Sequence, residues 1–185
     1  RLLAEKNGDT ISTAANTKFA DIPAHAWYSG YVKYLSNNGI TYGKSKTIFA
    51  PNDAITRAEF TTIAVRFFDV YGDGDAEIME QFSGFNDVSS GYWAAEYIKY
   101  AALHGWINGY GDGSFHADRE INRAEVVTIV NRLLGREADE DYIADNLRKL
   151  NTFPDVSRKH WAYYAVMEAA NAHTAVLGES ESWSK

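Results

Sequence analysis

The stretch Ile55-Thr56-Arg57-Ala58-Glu59-Phe60 recurs 66 residues later as Ile121-Asn122-Arg123-Ala124-Glu125-Val126. At the same offset Phe19 maps onto Phe85, Asp21 onto Asp87, Trp27 onto Trp93 and Tyr31 onto Tyr97. Gly39 likewise maps onto Gly105, Phe49 onto Phe115 and Arg66 onto Arg132. Self-similarity at a fixed offset marks an internal repeat. The hexapeptide also sets local structure. Thr56-x-x-Glu59 reads as a capping box: Thr56 accepts from the N–H of residue 59, and Glu59 reaches back to the N–H of residue 56. Asn122-x-x-Glu125 repeats the device with another good N-cap. A helical apolar stripe follows each box, with Phe60, Ile63, Ala64, Phe67 and Phe68 over about 57–70. Val126, Val127, Ile129, Val130, Leu133 and Leu134 follow over about 123–134. Arg57 and Arg123 stand at the first helical position, where the macrodipole disfavours a cation by about a few tenths of a kcal/mol. A helix N-terminus with open N–H groups beside an arginine is a candidate anion site. The alternative is an arginine that is solvated or paired with a carboxylate.

At 185 residues with 45% hydrophobic content the chain has enough material for a packed core. Its net charge of −7 and the lack of a Lys/Arg cluster argue against nucleic acid and against an anionic membrane surface. The absence of cysteine excludes disulfides, thiol catalysis and cysteine-based metal sites, and fits an exported bacterial protein. No apolar run is long enough to span a membrane, and no stretch reads as a signal peptide. Five Trp and twelve Tyr are a high aromatic load, suited both to carbohydrate contacts and to core filling.

Taken in order, Arg1-Leu2-Leu3-Ala4 resembles the end of a capped helix, so residues 1–18 read as the tail of a preceding repeat helix plus a linker. On this reading the chain is a fragment of a longer protein. Residues 19–72 form the first unit. Its first helix, expected over 26–37, carries Trp27, Tyr31, Tyr34 and Leu35, and Asn38-Gly39 ends it in an αL cap. Gly43-Lys44-Ser45 is a turn, and Ile48-Phe49-Ala50-Pro51 an extended segment in which Pro51 restricts Ala50. Asp73-x-Asp75-x-Glu77 has part of a calcium-loop pattern without its glycine or its final glutamate, and reads as a solvated acidic loop; residues 76–82 read as a short helix. Residues 85–135 form the second unit, with a helix carrying Trp93, Tyr97, Ile98, Ala101 and Ala102, and a turn at Gly109-Tyr110-Gly111-Asp112-Gly113. Residues 136–152 hold a connector helix with Tyr142, Ile143, Leu147 and Leu150 on its apolar side. Residues 153–185 form a partial third unit and a tail: Phe153-Pro154-Asp155-Val156 opens it, Trp161 takes the place of Trp93 at an offset of 68, and Tyr164, Ala165, Ala169 and Ala170 follow. The expected fold class is mainly α, with short extended or loop segments between helices.

Phe-x-Asp-(Val/Ile), Trp, a helix ending in Gly-Ile or Gly-Trp-Ile, Gly-Tyr-Gly-Asp-Gly-Ser-Phe and Ile-Thr-Arg-Ala-Glu together resemble the S-layer homology (SLH) module, over residues 19–71, 85–135 and 153–173. The resemblance implies tandem helical repeats packed as a pseudo-threefold spindle. It implies non-covalent attachment of an exported protein to the bacterial cell wall or S-layer surface. The implied ligand is an anionic secondary cell-wall polysaccharide, usually bearing pyruvate ketals, although Gram-negative hosts use other anionic envelope polymers. The motif arginines most tied to that binding fall on Arg57 and Arg123. A guanidinium grips a fixed carboxylate with two hydrogen bonds, which makes the chemistry reasonable.

Trp27, Trp93 and Trp161 are candidates for stacking on sugar rings, with core packing as the alternative. Gly43, Gly109 and Gly111 are candidates for the groove wall. Asp87 and Asp155, with Asp21, are read as helix caps in preference to acceptors of sugar hydroxyls. Grooves are expected where the capped helix of one unit meets the first helix of the next, pairing Arg57 with Trp93 and Arg123 with Trp161. Trp27 is left to the arginine of a preceding helix, so two grooves are complete and one is not. The third unit has His173 where a glycine should follow its first helix, which weakens any site there. The competing reading is a structural, self-associating S-layer module whose arginines sit in intramolecular ion pairs and bind no glycan. An enzyme is disfavoured because no pair of carboxylates is marked as catalytic and no histidine spacing suits a metal. No catalytic residue, metal or cofactor is assigned.

Overall fold

The computed structural model describes residues 2–12, 14–71, 83–176 and 182–184. The acidic loop at 73–77 and the short helix expected over 76–82 lie outside them. The described elements are α1 (Leu2–Asn7), α2 (Ser29–Asn37), α3 (Arg57–Tyr71), α4 (Ala95–Leu103), α5 (Arg123–Leu133), α6 (Glu140–Asn146) and α7 (Tyr163–Ala170). A 3-10 turn, Leu147–Lys149, continues α6. Strands β1 (Thr174–Val176) and β2 (Ser182–Ser184) form a small antiparallel ribbon with Ala175 opposite Trp183. The molecule is mainly α, with the ribbon as an addition that the sequence reading did not foresee.

Both capping boxes form. Glu59 N donates to Thr56 Oγ1 and Thr56 N to Glu59 Oε2, at 3.2 and 2.9 Å. Asn122 and Glu125 make the same exchange at 3.0 Å each way. The repeat governs packing too: α3 packs on α4 as α5 packs on α7, and α3 also meets α5 and α1. The main core gathers Ala64 and Val65 from α3, Ile98 and Ala101 from α4, Ile129 from α5, and Trp106 and Phe115 from the connecting turns. Phe19, Ile22 and Val32 make a smaller core in the first unit, and Ile143, Tyr163, Met167 and Trp183 another at the C-terminal end.

The first helices of the units start later than expected. Each begins two residues after its tryptophan, at Ser29, Ala95 and Tyr163. The aromatic stripe of α2 consequently does not face the core; Ser29, Gly30 and Val32 do. In α7 the buried residues are Tyr163, Met167 and Glu168 rather than Ala169 and Ala170. Gly39 and Gly105 close α2 and α4 at φ +73 and +70°, the αL cap expected at Asn38-Gly39. The third unit lacks that glycine. Asn171 is extended at φ −122 and ψ 120°, and the chain runs on into β1.

Ala50 corrects another expectation. A residue before proline prefers extended backbone, yet Ala50 has φ 60°, and its repeat equivalent His116 has φ 55°. The aspartates hold both turns. Asp21 accepts from Phe49 N and Ala50 N at 2.9 and 2.6 Å. Asp87 accepts from Phe115 N and His116 N at 2.7 Å each. Asp21 and Asp87 are therefore turn clamps, not caps of the first helices. The Phe49 N–H leads the interactions holding Asp21 below the usual carboxylate range. Burial pushes Asp87 up, but the Phe115 and His116 N–H groups outweigh it.

Candidate functional site

Two grooves lie where a capped helix meets the start of the next unit, and nine lining positions of each correspond in the repeat. The first, of about 340 Å³, is lined by Thr41, Tyr42, Gly43 and Lys44, by Glu59, Thr62, Ile63 and Arg66 of α3, and by Trp93. The second, of about 330 Å³, is lined by Ile107, Asn108, Gly109 and Tyr110, by Glu125, Thr128, Ile129 and Arg132 of α5, and by Trp161. Each helix contributes residues at i, i+3, i+4 and i+7, which is one helical face. The tryptophans stand at the rims with 56% and 65% of their surface exposed, and Trp27 is more exposed still at 77%. Core packing is thereby overturned for all three.

The expected location of the grooves is right, but the expected arginine pairing is not. Trp93 shares its groove with Arg66, and Trp161 shares its groove with Arg57 and Arg132. The reason is helical geometry: nine residues, from 57 to 66, make about two and a half turns and put the two side chains on opposite faces. Arg57 crosses into the second unit, where it is only 5% exposed. Its Nε donates to Phe115 O at 2.8 Å, its NH1 to Glu125 Oε1 at 2.7 Å and its NH2 to Asn108 O at 3.3 Å. The guanidinium carbon lies 4.4 Å from the centre of the Phe115 ring.

The N-terminus of α3 is also occupied by protein. Arg57 N and Ala58 N donate to Arg119 O and Ala117 O, both at 2.9 Å, and Ile121 N returns a bond to Ile55 O at 3.0 Å. No open anion site exists there. Arg123 is exposed and lies in a different cavity, with Asn122, Phe153, Asp155 and His160; it does not meet Trp161. The sequence reading missed Arg66 and Arg132 as groove residues. The signal was present, because both match in the repeat and both sit on the helical face of the capping glutamate.

Charge differs between the grooves. In the first, Lys44 Nζ pairs with Glu59 Oε1 at 2.6 Å. Burial pushes the Glu59 carboxyl up, but Lys44 and the Thr56 N–H bring it below its ordinary value. Arg66 lies over the rings of Tyr42 and Tyr97, 4.8 and 4.9 Å from their centres, and donates to Tyr97 Oη. In the second, Glu125 pairs with both Arg57 and Arg119 and accepts from Tyr110 Oη. Burial pushes Glu125 up; the Asn122 N–H and the two arginines outweigh it. Asn108, with its amide turned to satisfy its neighbours, accepts from Arg132 NH1 at 3.2 Å.

Gly43 and Gly109 earn their places sterically. A Cβ at Gly43 would lie 2.6 Å from both Ile48 O and Phe19 Cε1, and one at Gly109 would collide with Phe85 Cε1 and Ser114 O. Gly111 has no such neighbour. Among the described residues no group of His, Asp or Glu side chains is arranged to hold a metal ion.

Residues 18–61 and 84–127 match the S-layer homology domain family. Cell surface glycoprotein 1 of Acetivibrio thermocellus is 31% identical over 181 residues, covering 94% of this chain and 7% of its own. The cellulosome-anchoring protein of the same organism is 29% identical over 164 residues, covering 88% of this chain and 34% of its own. The surface-layer 125 kDa protein of Lysinibacillus sphaericus is 30% identical over 131 residues, covering 69% and 11%. The chain thus spans between 7% and 34% of the length of these relatives. An S-layer homology domain is a cell-wall anchoring module, typically non-catalytic, and the relatives support a cell-surface location and an anchoring role. Among the described residues no helix is long and apolar enough to cross a membrane. Two family matches in tandem fall on units that share their caps, clamps and grooves, so residues 18–61 and 84–127 are tandem S-layer homology domains.

Proposed function

We propose that the chain anchors a larger protein to the bacterial cell wall by binding an anionic secondary cell-wall polysaccharide in its two grooves. The observation that carries this reading is the repeated juxtaposition of an exposed tryptophan with an arginine, Trp93 with Arg66 and Trp161 with Arg132. An aromatic face takes the apolar side of a sugar ring, and a guanidinium binds a carboxylate in a two-pronged geometry. A pyruvate ketal presents such a carboxylate at a fixed position on a sugar. Arg66 and Arg132 are the gripping residues on this reading. Arg57 lies in the floor of the second groove, where it offsets the charge of Glu125. Gly43 and Gly109 shape the walls from behind, and Asp87 holds the turn beneath the second.

The competing structural reading gains one specific support: Arg57, the best-matched motif arginine, is engaged in an intramolecular ion pair. Binding measurements on purified wall polysaccharide, before and after mild acid removal of its ketals, separate the two readings. The anchoring reading expects binding that falls by roughly tenfold or more once the carboxylates are gone, since a hydrogen bond to a charged group contributes about 1.5–3 kcal/mol. Undiminished binding after ketal removal contradicts a carboxylate-reading groove.

A further inference from the structure

A second cavity borders the Trp161 groove. It measures about 450 Å³ and is lined by Asp87, Tyr92, His116, Ala117, Asp118 and Arg119. Arg119 and Tyr110 form the wall between the two. Arg119 NH2 donates to Tyr110 Oη at 2.6 Å and to Glu125 Oε1, and the rings of Tyr110 and His116 lie 4.7 Å apart. In the first unit Asp53 stands where Arg119 does. There Ala50, Pro51 and Asp53, the equivalents of His116, Ala117 and Arg119, line the Trp93 groove itself. The repeat therefore assigns the second cavity to the groove beside it.

The polar groups of this cavity are mostly acceptors, and the proton positions follow from the hydrogen bonds. The Ser114 hydroxyl leads the interactions holding Asp112 below the usual carboxylate range, so Asp112 is ionised and only accepts. Ser114 Oγ gives its one proton to Asp112 Oδ1 at 2.6 Å. His116 Nε2, 3.1 Å from the same Oγ, must then be the donor of that pair. In a neutral imidazole this leaves Nδ1 as a bare lone pair, 3.6 Å from Asp87 Oδ2. Asp87 Oδ2 holds the N–H of His116 and has room for another donor. Asp118 accepts from Tyr92 Oη at 2.5 Å through Oδ1, which leaves Oδ2 to accept elsewhere. Burial and the Asp118 carboxylate push the Tyr92 phenol up to about 12, so its proton stays in that bond. The cavity thus sets two carboxylates against one arginine that is already engaged with Glu125. Beyond the wall, the groove sets Arg57 and Arg132 against Glu125.

We propose that this cavity is a second subsite of the Trp161 groove, taking the uncharged, hydroxyl-bearing sugar next to the carboxylate-bearing one. Sugar hydroxyls supply donors to His116 Nδ1, Asp87 Oδ2 and Asp118 Oδ2, and hydrogen bonds to ionised acceptors are the strong ones. The two aspartates turn away a second carboxylate, which makes the subsite selective as well as attractive. The groove holds the carboxylate, and the Arg119–Tyr110 wall sets the spacing between the two sugars. The first unit does not repeat the subsite, because Ala26, Ala50 and Asn52 stand in place of Tyr92, His116 and Asp118. The inference rests on the anchoring reading and adds to it a requirement for sugar sequence at one groove.

The test uses the whole chain, isotope-labelled, at pH 8 with two probes. One is the methyl glycoside of a single pyruvate-ketal sugar; the other is a purified wall oligosaccharide of two or more residues that carries the ketal. NMR reads the two cavities separately. The single sugar shifts the amides of Asn108 and Thr128 in the groove, and the oligosaccharide shifts these together with the amides of His116 and Ala117 and the His116 Nδ1 resonance. Asp118→Ala leaves the affinity for the single sugar unchanged and weakens the oligosaccharide by about tenfold; unchanged first-unit signals in the free variant certify that it is folded. The proposal is overturned if the oligosaccharide shifts the groove amides without those of the subsite, or if Asp118→Ala binds it as tightly as the parent. It is equally overturned if His116 of the free protein carries protons on both ring nitrogens, because Asp87 then satisfies Nδ1 by itself. Silence of both probes at every signal overturns the anchoring reading, and the subsite with it.

Discussion

The two grooves share a mould but not a charge balance. Counting lining side chains, the groove at Trp93 sets Lys44 and Arg66 against Asp53 and Glu59 and is neutral. The groove at Trp161 sets Arg57 and Arg132 against Glu125 and is one charge positive, with Arg119 also bound to that glutamate. The difference has a local cause. Glu125 is reached by an arginine from the preceding unit, whereas Glu59 is met by Lys44 from its own turn. The capping glutamate thus has two tasks: it closes its helix, and it fixes a cation at the groove. The cation differs between units because its source differs.

Stability should expose this contrast most strongly. Arg57→Ala breaks a buried ion pair and strips Phe115 O and Asn108 O of their donor. A loss of about 3–5 kcal/mol is expected in denaturant unfolding. Lys44→Ala removes the equivalent pair in the first groove, where lysine and glutamate are 41% and 27% exposed, and should cost at most about 1 kcal/mol. Equal losses for the two would show that the difference in partners has no energetic meaning.

What the grooves share can be tested next. Asp87→Ala leaves the N–H groups of Phe115 and His116 without their acceptor at a residue of positive φ, for an expected cost of about 1–3 kcal/mol. Asp21→Ala removes the equivalent clamp from the first unit, so unfolding measurements should show both substitutions to be destabilising.

How much of this was legible in the sequence depends on the kind of interaction. Thr56-x-x-Glu59 and Asn122-x-x-Glu125 depend on residues three apart, so the caps could be read directly. The apolar spacing gave the helix types, and the repeat offset placed the grooves between units. The direction of Arg57 was not legible, because its partners Phe115, Asn108 and Glu125 are 51 to 68 residues away. Asp21 and Asp87 were misread as caps for the same reason, since they act on residues 28 and 29 positions later. The aromatic stripe of α2 misled because aromatic residues suit a groove rim as well as a core.

The pH response is a smaller effect with a definite sign. Glu59 and Glu125 both titrate below the ordinary value of 4.5. Their contribution is complete above that value and is lost as pH falls through the lower folded values. His104 acts in a separate window. Burial against Phe68, Tyr100 and Trp106 pushes its pKa below 6.5. Its protonation must therefore destabilise the fold as pH falls from about 6.5 through the lower folded value. Melting curves from pH 8 to 3 should show both declines, and His104→Phe should flatten only the upper one.

The central claim is that the wall polymer is read by Arg66 and Arg132 within the grooves, and not by the exposed motif arginine Arg123. Calorimetric titration of purified pyruvylated polysaccharide into the Arg66→Gln, Arg132→Gln double variant and into Arg123→Gln tests it most directly. The account predicts that the double variant, still folded, loses binding while Arg123→Gln retains it. Loss of binding in Arg123→Gln with retention in the double variant would contradict it.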